Sequence, residues 1–271
     1  MEYFLYFCKL LECKRTELHF MLNKIVVVCF IMCCVFANRA SAQTVQEEDN
    51  AVSALDSAVR DFFAKGRDSY RQGEYAEAAV FFSKVIALSP SVAAAYNGRG
   101  SCYRRLGQYS DALVDYTVAI SKHPCAAYYC NRGTVRMKME EYDAAISDYT
   151  LAYAMDSTYT LALNNRGIVY LTTGLYRRAV EDFSACISIN PTHYLFYNNR
   201  GIAYYKLKEF ELSLADFDRT ISLKPDYGVA FLHRGNIKDM LDNMSGACED
   251  WNRAAELGVR QAENCLKNCS N

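Results

Sequence analysis

The sequence is poor in the features that mark several protein classes. Its 271 residues include only four prolines and one tryptophan, and no apolar run reaches the roughly 18 to 20 residues that span a bilayer. Basic and acidic residues nearly balance, 30 against 31, which argues against nucleic-acid binding driven by overall charge. Because 51% of the residues are hydrophobic, a disordered or low-complexity chain is excluded as well.

Signatures of catalysis and metal binding are also missing. The four histidines are scattered, and none stands at zinc-ligand spacing from a cysteine or a carboxylate. The sequence contains no phosphate loop and no dinucleotide-binding fingerprint. We therefore predict that the protein is not an enzyme and uses neither a metal nor a cofactor.

Residues 21–42 have the layout of a secretory signal peptide. Lys24 supplies a positive charge, an apolar run follows over 25–37, and the small residues of Ala40-Ser41-Ala42 precede a cut between Ala42 and Gln43. The run is too short for a stable membrane anchor. This layout predicts a secreted or periplasmic protein. The alternative is a cytoplasmic protein in which residues 21–42 are buried or disordered.

The first twenty residues fit poorly as the start of a signal peptide. Either residues 1–20 are a mis-assigned extension and Met21 is the true start, or they form a second apolar leader. Cleavage after Ala42 would leave seven of the 12 cysteines. Export permits disulfides, and an odd number leaves at least one thiol free or paired between chains.

A repeat of 33 or 34 residues accounts for most of the chain. Glycines recur at intervals of 34, 33, 34, 34 and 34, at Gly66, Gly100, Gly133, Gly167, Gly201 and Gly235. A small residue follows twelve positions later, at Ala78, Ala112, Ala145, Ala179, Ser213 and Ala247. Four positions further stands an aromatic residue, at Phe82, Tyr116, Tyr149, Phe183, Phe217 and Trp251. In four units a proline follows eight positions after that, at Pro90, Pro124, Pro191 and Pro225.

This spacing resembles the tetratricopeptide repeat over about residues 59–258. The resemblance implies an all-α fold, a right-handed α-solenoid of six helix-turn-helix repeats with a C-terminal capping helix. We call the first helix of a repeat helix A and the second helix B. The small residues would lie where these antiparallel helices approach closely, and the proline would end helix B. Each repeat leaves an apolar face uncovered, so stacking buries it and creates a concave groove.

A charged pair recurs within this pattern. In five repeats an arginine precedes the repeat glycine and an aspartate precedes the helix B aromatic: Arg99 with Asp115, Arg132 with Asp148, Arg166 with Asp182, Arg200 with Asp216, and Arg234 with Asp250. The first repeat has Lys65 and Phe81 at these positions. We predict ion pairs, within or between repeats, whose role is structural.

The two ends of the array depart from the pattern. Residues 43–58 are predicted to form an N-terminal helical extension, and residues 259–271 a capping helix and tail. The last unit also resembles the Sel1-like repeat. From their core-facing spacing and the export signal, Cys248 and Cys265 are predicted to form a disulfide that holds the cap.

For the remaining cysteines the sequence gives different predictions. Cys102 and Cys186 occupy positions held in other repeats by Val, Ala or Thr, which predicts buried, inert thiols. Cys125 and Cys130 flank the short loop, where a local bridge is an open alternative.

In the family that the chain resembles, helix A residues at fixed offsets from the glycine line the groove. Carried onto this sequence, these residues are Arg60, Arg67, Arg71, Asn97, Ser101, Arg104, Arg105, Thr134, Lys138, Asn164, Ile168, Asn198, Ile202, Tyr205 and Asn236. The first three repeats thus present basic side chains, and the later ones apolar and amide side chains.

The resemblance therefore implies a non-catalytic, exported scaffold or adaptor. Its ligand would be a partner protein or an extended peptide, acidic where it meets the first repeats, and not a nucleic acid. The alternative is a structural assembly subunit that self-associates through its repeat ends or cysteines. The oligomeric state is left open.

Overall fold

The computed structural model describes residues 55–270, which form α-helices joined by short turns. Residues 55–61 and 62–270 belong to different units of the chain, and the contacts described below lie within the second. Helix α1 covers residues 55–72. The next helices are α2 Tyr75–Leu88, α3 Ala93–Arg105, α4 Tyr109–Lys122, α5 Ala126–Lys138, α6 Tyr142–Met155 and α7 Thr160–Thr172. They are followed by α8 Tyr176–Ile189, α9 Tyr194–Lys206, α10 Phe210–Leu223, α11 Gly228–Met240, α12 Met244–Glu256, α13 Arg260–Leu266 and a 3₁₀ turn at Lys267–Ser270.

The helices pack in consecutive pairs, and each pair packs on the next. The strongest contacts join α3 to α4, α5 to α6, α7 to α8, α9 to α10 and α11 to α12, and weaker ones join successive pairs. The odd-numbered helices α1 to α11 are the A helices, and the even-numbered helices α2 to α12 are the B helices. The predicted all-α solenoid of six repeats, closed by α13, is confirmed.

Each A helix is followed, within two residues of its end, by a residue in the left-handed region. These residues are Gly73, Gly107, Glu140, Gly174, Lys208 and Asp242, with φ between 57° and 88°. In the second repeat, the Gly107 amide donates to Arg104 and the Gln108 amide donates to Tyr103. This hydrogen-bond pattern ends a helix and reverses the chain within two or three residues. Tight turns of this kind hold helix B against helix A.

The repeat glycine leaves room for the aromatic ring of helix B. A Cβ atom added to Gly167 would lie 2.7 Å from Phe183 Cε1, and one added to Gly235 would lie 2.8 Å from Trp251. Real Cβ atoms do not approach so closely, so the glycine accommodates a ring that is almost fully buried. The predicted close approach of glycine and alanine is therefore mainly an approach of glycine and aromatic ring.

The C-terminal helix is joined to the last repeat by a different disulfide from the one expected. Cys248 bonds to Cys269, with Cα atoms 5.9 Å apart, so the predicted Cys248–Cys265 pairing is wrong. Helix α13 ends at Leu266, and the 3₁₀ turn that follows carries Cys269 to Cys248. The Cys265 thiol lies 3.9 Å from Asn236 Oδ1 and remains free.

The other cysteines in the described residues are free thiols. Cys102 and Cys186 are fully buried, as predicted. Cys125 and Cys130 do not bond to each other. Across residues 55–270 we find no helix with the length and apolar character that a bilayer crossing requires.

Candidate ligand-binding groove

The five predicted Arg–Asp contacts are all formed, each within one repeat. Both carboxylate oxygens of the aspartate accept from Nε and Nη2 of the arginine, at 2.5 to 3.0 Å. Hydrogen bonding to the aspartate raises the arginine pKa in four repeats, at Arg99, Arg166, Arg200 and Arg234. Burial raises the pKa of Asp216. The guanidinium groups of these arginines are therefore committed to contacts within the stack.

Each of these arginines makes a third contact, which was not predicted from the sequence. The Nη1 atom of each arginine donates to helix B of the preceding repeat, at Ser83, Thr117, Thr150, Ser184 and Asp218, over 2.6 to 3.2 Å. The signal was present, because every acceptor directly follows the helix B aromatic. In repeats 3 and 6 the aspartate also binds a second cation, Arg136 or Lys238.

The residue after the repeat glycine lies against the aromatic of its own repeat. Ser101 Oγ is 3.0 Å from the Tyr116 hydroxyl, and the Tyr149 hydroxyl donates to Thr134 Oγ1 at 3.3 Å. Trp251 Nε1 donates to Asn236 Oδ1 at 2.9 Å. These predicted groove residues are thus held in fixed orientations on the A helices. Ile168 and Ile202 stand at the same position and pack, half-buried, on apolar clusters.

Amide side chains link successive A helices. Asn131 Nδ2 donates to Asn97 Oδ1 at 2.9 Å, and Asn199 Nδ2 donates to Asn164 Oδ1 at 3.0 Å. Two predicted groove residues, Asn97 and Asn164, therefore serve as acceptors in these pairs. The predicted groove residue Asn198 is only 4% exposed, which leaves it little contact with solvent.

A pocket of about 400 Å³ opens on the A helices of the first three repeats. We call it the basic pocket, and it is lined by Phe63, Arg67, Tyr70, Arg71, Phe82, Ala94, Asn97, Gly98, Ser101, Arg104 and Asn131. It brings together five residues predicted for the groove and adds an aromatic wall. No carboxylate is among its lining residues.

Arg104 is the residue of the basic pocket that most strongly indicates anion binding. The side chain is half-buried, and its Nε atom is buried with no hydrogen-bond partner in the described part of the chain. No ion pair to Arg104 occurs within residues 55–270. Burial raises the pKa of Tyr116, and the hydrogen bond with Ser101 and then the charge and side-chain hydrogen bond of Arg104 act in the opposite direction. A half-buried guanidinium without a counter-ion favours binding of an anion.

Other predicted groove residues lie outside this pocket. Arg105 donates to the Tyr75 hydroxyl and stacks on its ring, with 4.8 Å from Cζ to the centroid. Lys138 and Arg60 are exposed, and Arg60 belongs to the other unit. Within the basic pocket, Arg71 donates to the exposed carboxylate of Asp68 at 3.0 Å.

A second, smaller pocket of about 200 Å³ lies on the last two repeats. We call it the His233 pocket, and it is lined by Ile202, Tyr205, Lys206, Phe217, His233 and Asn236. Sequence reasoning identified Ile202, Tyr205 and Asn236 but missed His233, which replaces the asparagine found at this offset in three earlier repeats.

Metal-ligand clusters and reactive thiols were looked for among the side chains of residues 55–270. No cluster of three or more His, Cys, Asp or Glu side chains that could hold a metal occurs there. Burial raises the pKa of the Cys102 and Cys186 thiols to about 12 and that of Cys130 to about 11. These thiols are therefore unsuited to nucleophilic chemistry at neutral pH.

Models of the tetratricopeptide repeat match residues 63–127, 126–159, 161–193 and 194–227, together more than half of the chain. Among curated proteins, no sequence matches the chain.

Solved structures share the fold at low sequence identity. The pilF protein of Pseudomonas aeruginosa is 17% identical with a TM-score of 0.69, over 79% of this chain and 99% of that one. YrrB, described as a TPR protein with an unusual peptide-binding site, is 24% identical with a TM-score of 0.53, over 62% and 88%. MamA is 22% identical with a TM-score of 0.56, over 62% and 93%.

Proposed function

The chain belongs to the tetratricopeptide repeat family, and from this premise we propose that it is an exported, non-catalytic scaffold that holds an acidic, extended segment of a partner protein in its groove. The fold and its structural neighbours indicate a protein-binding scaffold. The acidic ligand, the groove as its site and the export are our proposals.

The proposal rests on one observation: Arg104 in the basic pocket has no counter-ion in the described residues. Other partly buried arginines in the stack are neutralised by an aspartate, whereas Arg104 has no counter-ion in the described residues. Arg67 lines the same pocket, with its guanidinium over the Phe63 ring. A ligand carboxylate would pair with Arg104, and the aromatic wall would take the apolar part of the same segment.

An extended peptide fits this surface better than a small molecule. The pocket is open and includes the amide pair Asn131–Asn97, and the A helices continue beyond it with the pair Asn199–Asn164. Amide side chains can hydrogen-bond to a peptide backbone regardless of its sequence. YrrB, which shares the fold, is described as having a peptide-binding site.

Two features support export. Residues 21–42, which lie outside the described residues, have the layout of a signal peptide. The Cys248–Cys269 disulfide is the kind of bond that persists in secreted and periplasmic proteins.

The binding proposal is tested with two charge-matched triple variants. Peptides are first selected from a random dodecapeptide display library with the wild-type protein, and we expect enrichment of Asp and Glu. Arg67→Ala/Arg71→Ala/Arg104→Ala should weaken binding of a selected peptide at least about tenfold. The control, Arg177→Ala/Arg219→Ala/Arg253→Ala, removes the same charge from B helices and should stay within about twofold.

Equal losses in the two triple variants would show that only net charge matters and would defeat the groove assignment. Selection of peptides without acidic enrichment would defeat the acidic ligand.

A further inference from the structure

The sixth repeat interrupts the series of amide contacts along the groove. In repeats 3 to 5 the residue two positions before the glycine is Asn131, Asn165 or Asn199, and each side chain donates to the preceding A helix, at 2.9, 3.8 and 3.0 Å. The sixth repeat has His233 at this position, and Asn198 stands where the acceptor would be. Asn198 Oδ1 is buried without a partner in the described residues. His233 therefore does not replace the amide in its structural role.

The His233 side chain instead forms part of the wall of the His233 pocket. Its ring lies on the Phe217 ring, with centroids 5.4 Å apart and planes 25° apart. No hydrogen bond to either imidazole nitrogen is formed within residues 55–270, although the side chain is largely buried. The polar atoms of this ring are thus available to a group in the pocket.

Two other residues of the pocket, Asn236 and Lys206, offer donors, and the Tyr205 hydroxyl can donate or accept. Asn236 Oδ1 already accepts from Trp251 Nε1 at 2.9 Å and faces the Cys265 thiol at 3.9 Å, which leaves the amide N–H groups for a ligand. Lys206 contributes an ammonium group from α9. Ile202 and Phe217 supply apolar walls that take the stem of a side chain.

The pocket has no negative charge of its own. Three acidic side chains on the neighbouring helices are paired elsewhere, Asp216 with Arg200, and Asp218 and Asp250 with Arg234. Glu211, Asp239 and Glu249 also lie on these helices but do not line the pocket. Lys206 is the charged group that acts on His233. Burial lowers the pKa of His233, and the Lys206 charge lowers it further, so the imidazole is neutral at pH 7. An anion in the pocket would oppose both effects, because it would neutralise Lys206 and favour the imidazolium.

We propose that the His233 pocket is a second acidic subsite of the groove, which binds a Glu or Asp side chain of the ligand through Lys206, His233 and Asn236. This inference rests on the proposed function, since it assumes that the groove is the ligand site. A carboxylate has acceptors only, and the Lys206 ammonium, the Asn236 amide and one N–H of His233 are donors that can pair with it. The ligand is then acidic both at the basic pocket and at repeats 5 and 6.

The test uses a minimal probe in place of the unknown ligand. Acetyl-glutamyl amide and its neutral isostere acetyl-glutaminyl amide are titrated into the full chain, and the imidazole ring signals of His233 are followed by NMR. A probe of this size should bind with Kd of about 1 mM. We expect a saturable shift with the glutamyl probe, a rise of about one unit in the His233 pKa at saturation, and no saturable shift with the glutaminyl probe.

Two variants and one control locate the effect. Lys206→Met keeps the apolar stem, and His233→Asn introduces the residue that three earlier repeats carry. Each should weaken binding of the glutamyl probe about tenfold, read for His233→Asn from the Trp251 indole signal. Arg177→Met, which removes an exposed charge from helix B of the fourth repeat outside both pockets, should leave the titration unchanged.

A response to the glutaminyl probe equal to that of the glutamyl probe would overturn the subsite. So would the absence of a saturable shift at about ten times the expected Kd, or full binding in Lys206→Met and His233→Asn. These results are separable from a failure of the proposed function. If peptide selection gives no acidic ligand but the glutamyl probe still raises the His233 pKa, the subsite stands and the peptide assignment fails.

Discussion

Arg166 and Asp182 form a two-pronged ion pair, with Nε and Nη2 at 2.8 and 2.7 Å from the carboxylate oxygens. The third guanidinium nitrogen donates to Thr150 in the preceding repeat at 2.9 Å. One arginine thus joins helix A of its own repeat to two B helices. The same arrangement in five repeats fixes how each repeat sits on the one before it.

Removing one member of this pair should cost more stability than removing both. Arg166→Leu leaves the Asp182 carboxylate, 8% exposed, without a counter-ion. We expect a loss of about 3–5 kcal/mol in the free energy of unfolding, and a smaller loss for Arg166→Leu/Asp182→Leu, because the double variant buries no unpaired charge. Urea denaturation measures both. Arg253→Leu breaks an exposed pair with Glu256 and should cost less than about 1 kcal/mol. Additive losses in the double variant would refute the pairing argument.

The repeat glycine should not tolerate a methyl group. Gly167→Ala places a Cβ 2.7 Å from the fully buried Phe183 ring. Overpacking should destabilise by about 1–3 kcal/mol, which outweighs the gain in helix propensity of about 1 kcal/mol. Thermal or urea unfolding checks the sign, and Phe183→Leu should cost less in the Gly167→Ala background than in wild type.

A matched control comes from the small residue on helix B. Ser213→Ala restores the alanine that the other five repeats carry and removes a 2.7 Å hydrogen bond to the Gly201 carbonyl. We expect a change of less than about 1.5 kcal/mol. A loss as large as that of Gly167→Ala would mean that the close approach is not what limits the glycine position.

The Cys248–Cys269 bond should stabilise the C-terminal cap, and this stabilisation should be lost when the bond is reduced. Cys248 and Cys269 are 21 residues apart in sequence, and closing a loop of this size contributes about 3 kcal/mol in the chain-entropy account. Cys269→Ser should therefore lose about that amount, and a reductant should abolish the difference. Cys265→Ser is the control and should unfold like wild type. If Cys265→Ser instead carries the loss, Cys265 is the true partner of Cys248.

The buried thiols should resist alkylation in the folded protein. With pKa values of about 12 for Cys102 and Cys186 and about 11 for Cys130, at most about one thiolate in a thousand forms at pH 8. Mass spectrometry after brief iodoacetamide treatment should find these three unmodified and Cys125, which is only half-buried, modified. Unfolding in urea should make all four react. Equal native rates would contradict the buried, inert assignment.

The mature protein should begin at Gln43. Mass spectrometry of the N-terminal peptide of protein recovered from its native producer should give Gln43 as the first residue. A variant with Leu in place of Ala40 and Ala42 should keep the leader, because signal cleavage requires small residues at these positions. Retention of residues 21–42 in the wild type would refute export by this route.

Spacing along the chain was enough to predict much of the fold. The glycine, small-residue and aromatic positions recur every 33 or 34 residues, so one helix pair determines the others, and the Arg–Asp partners recur 16 residues apart in five repeats. These contacts lie within one repeat and depend on helical geometry that nearby residues set. The groove was predicted only through the family resemblance, and it included Asn198, which the structure buries.

The tertiary structure decided the contacts between elements that are separated along the chain. The sequence predicted a disulfide between Cys248 and Cys265, but the change from α13 to a 3₁₀ turn after Leu266 brings Cys269, and not Cys265, to Cys248. Stacking of consecutive repeats likewise determined that Arg104 lacks a counter-ion and that His233 faces a pocket in place of a neighbouring amide. Periodicity determines which residues occupy equivalent positions. Only packing determines which of their polar atoms remain without a partner, and those atoms define where a ligand can bind.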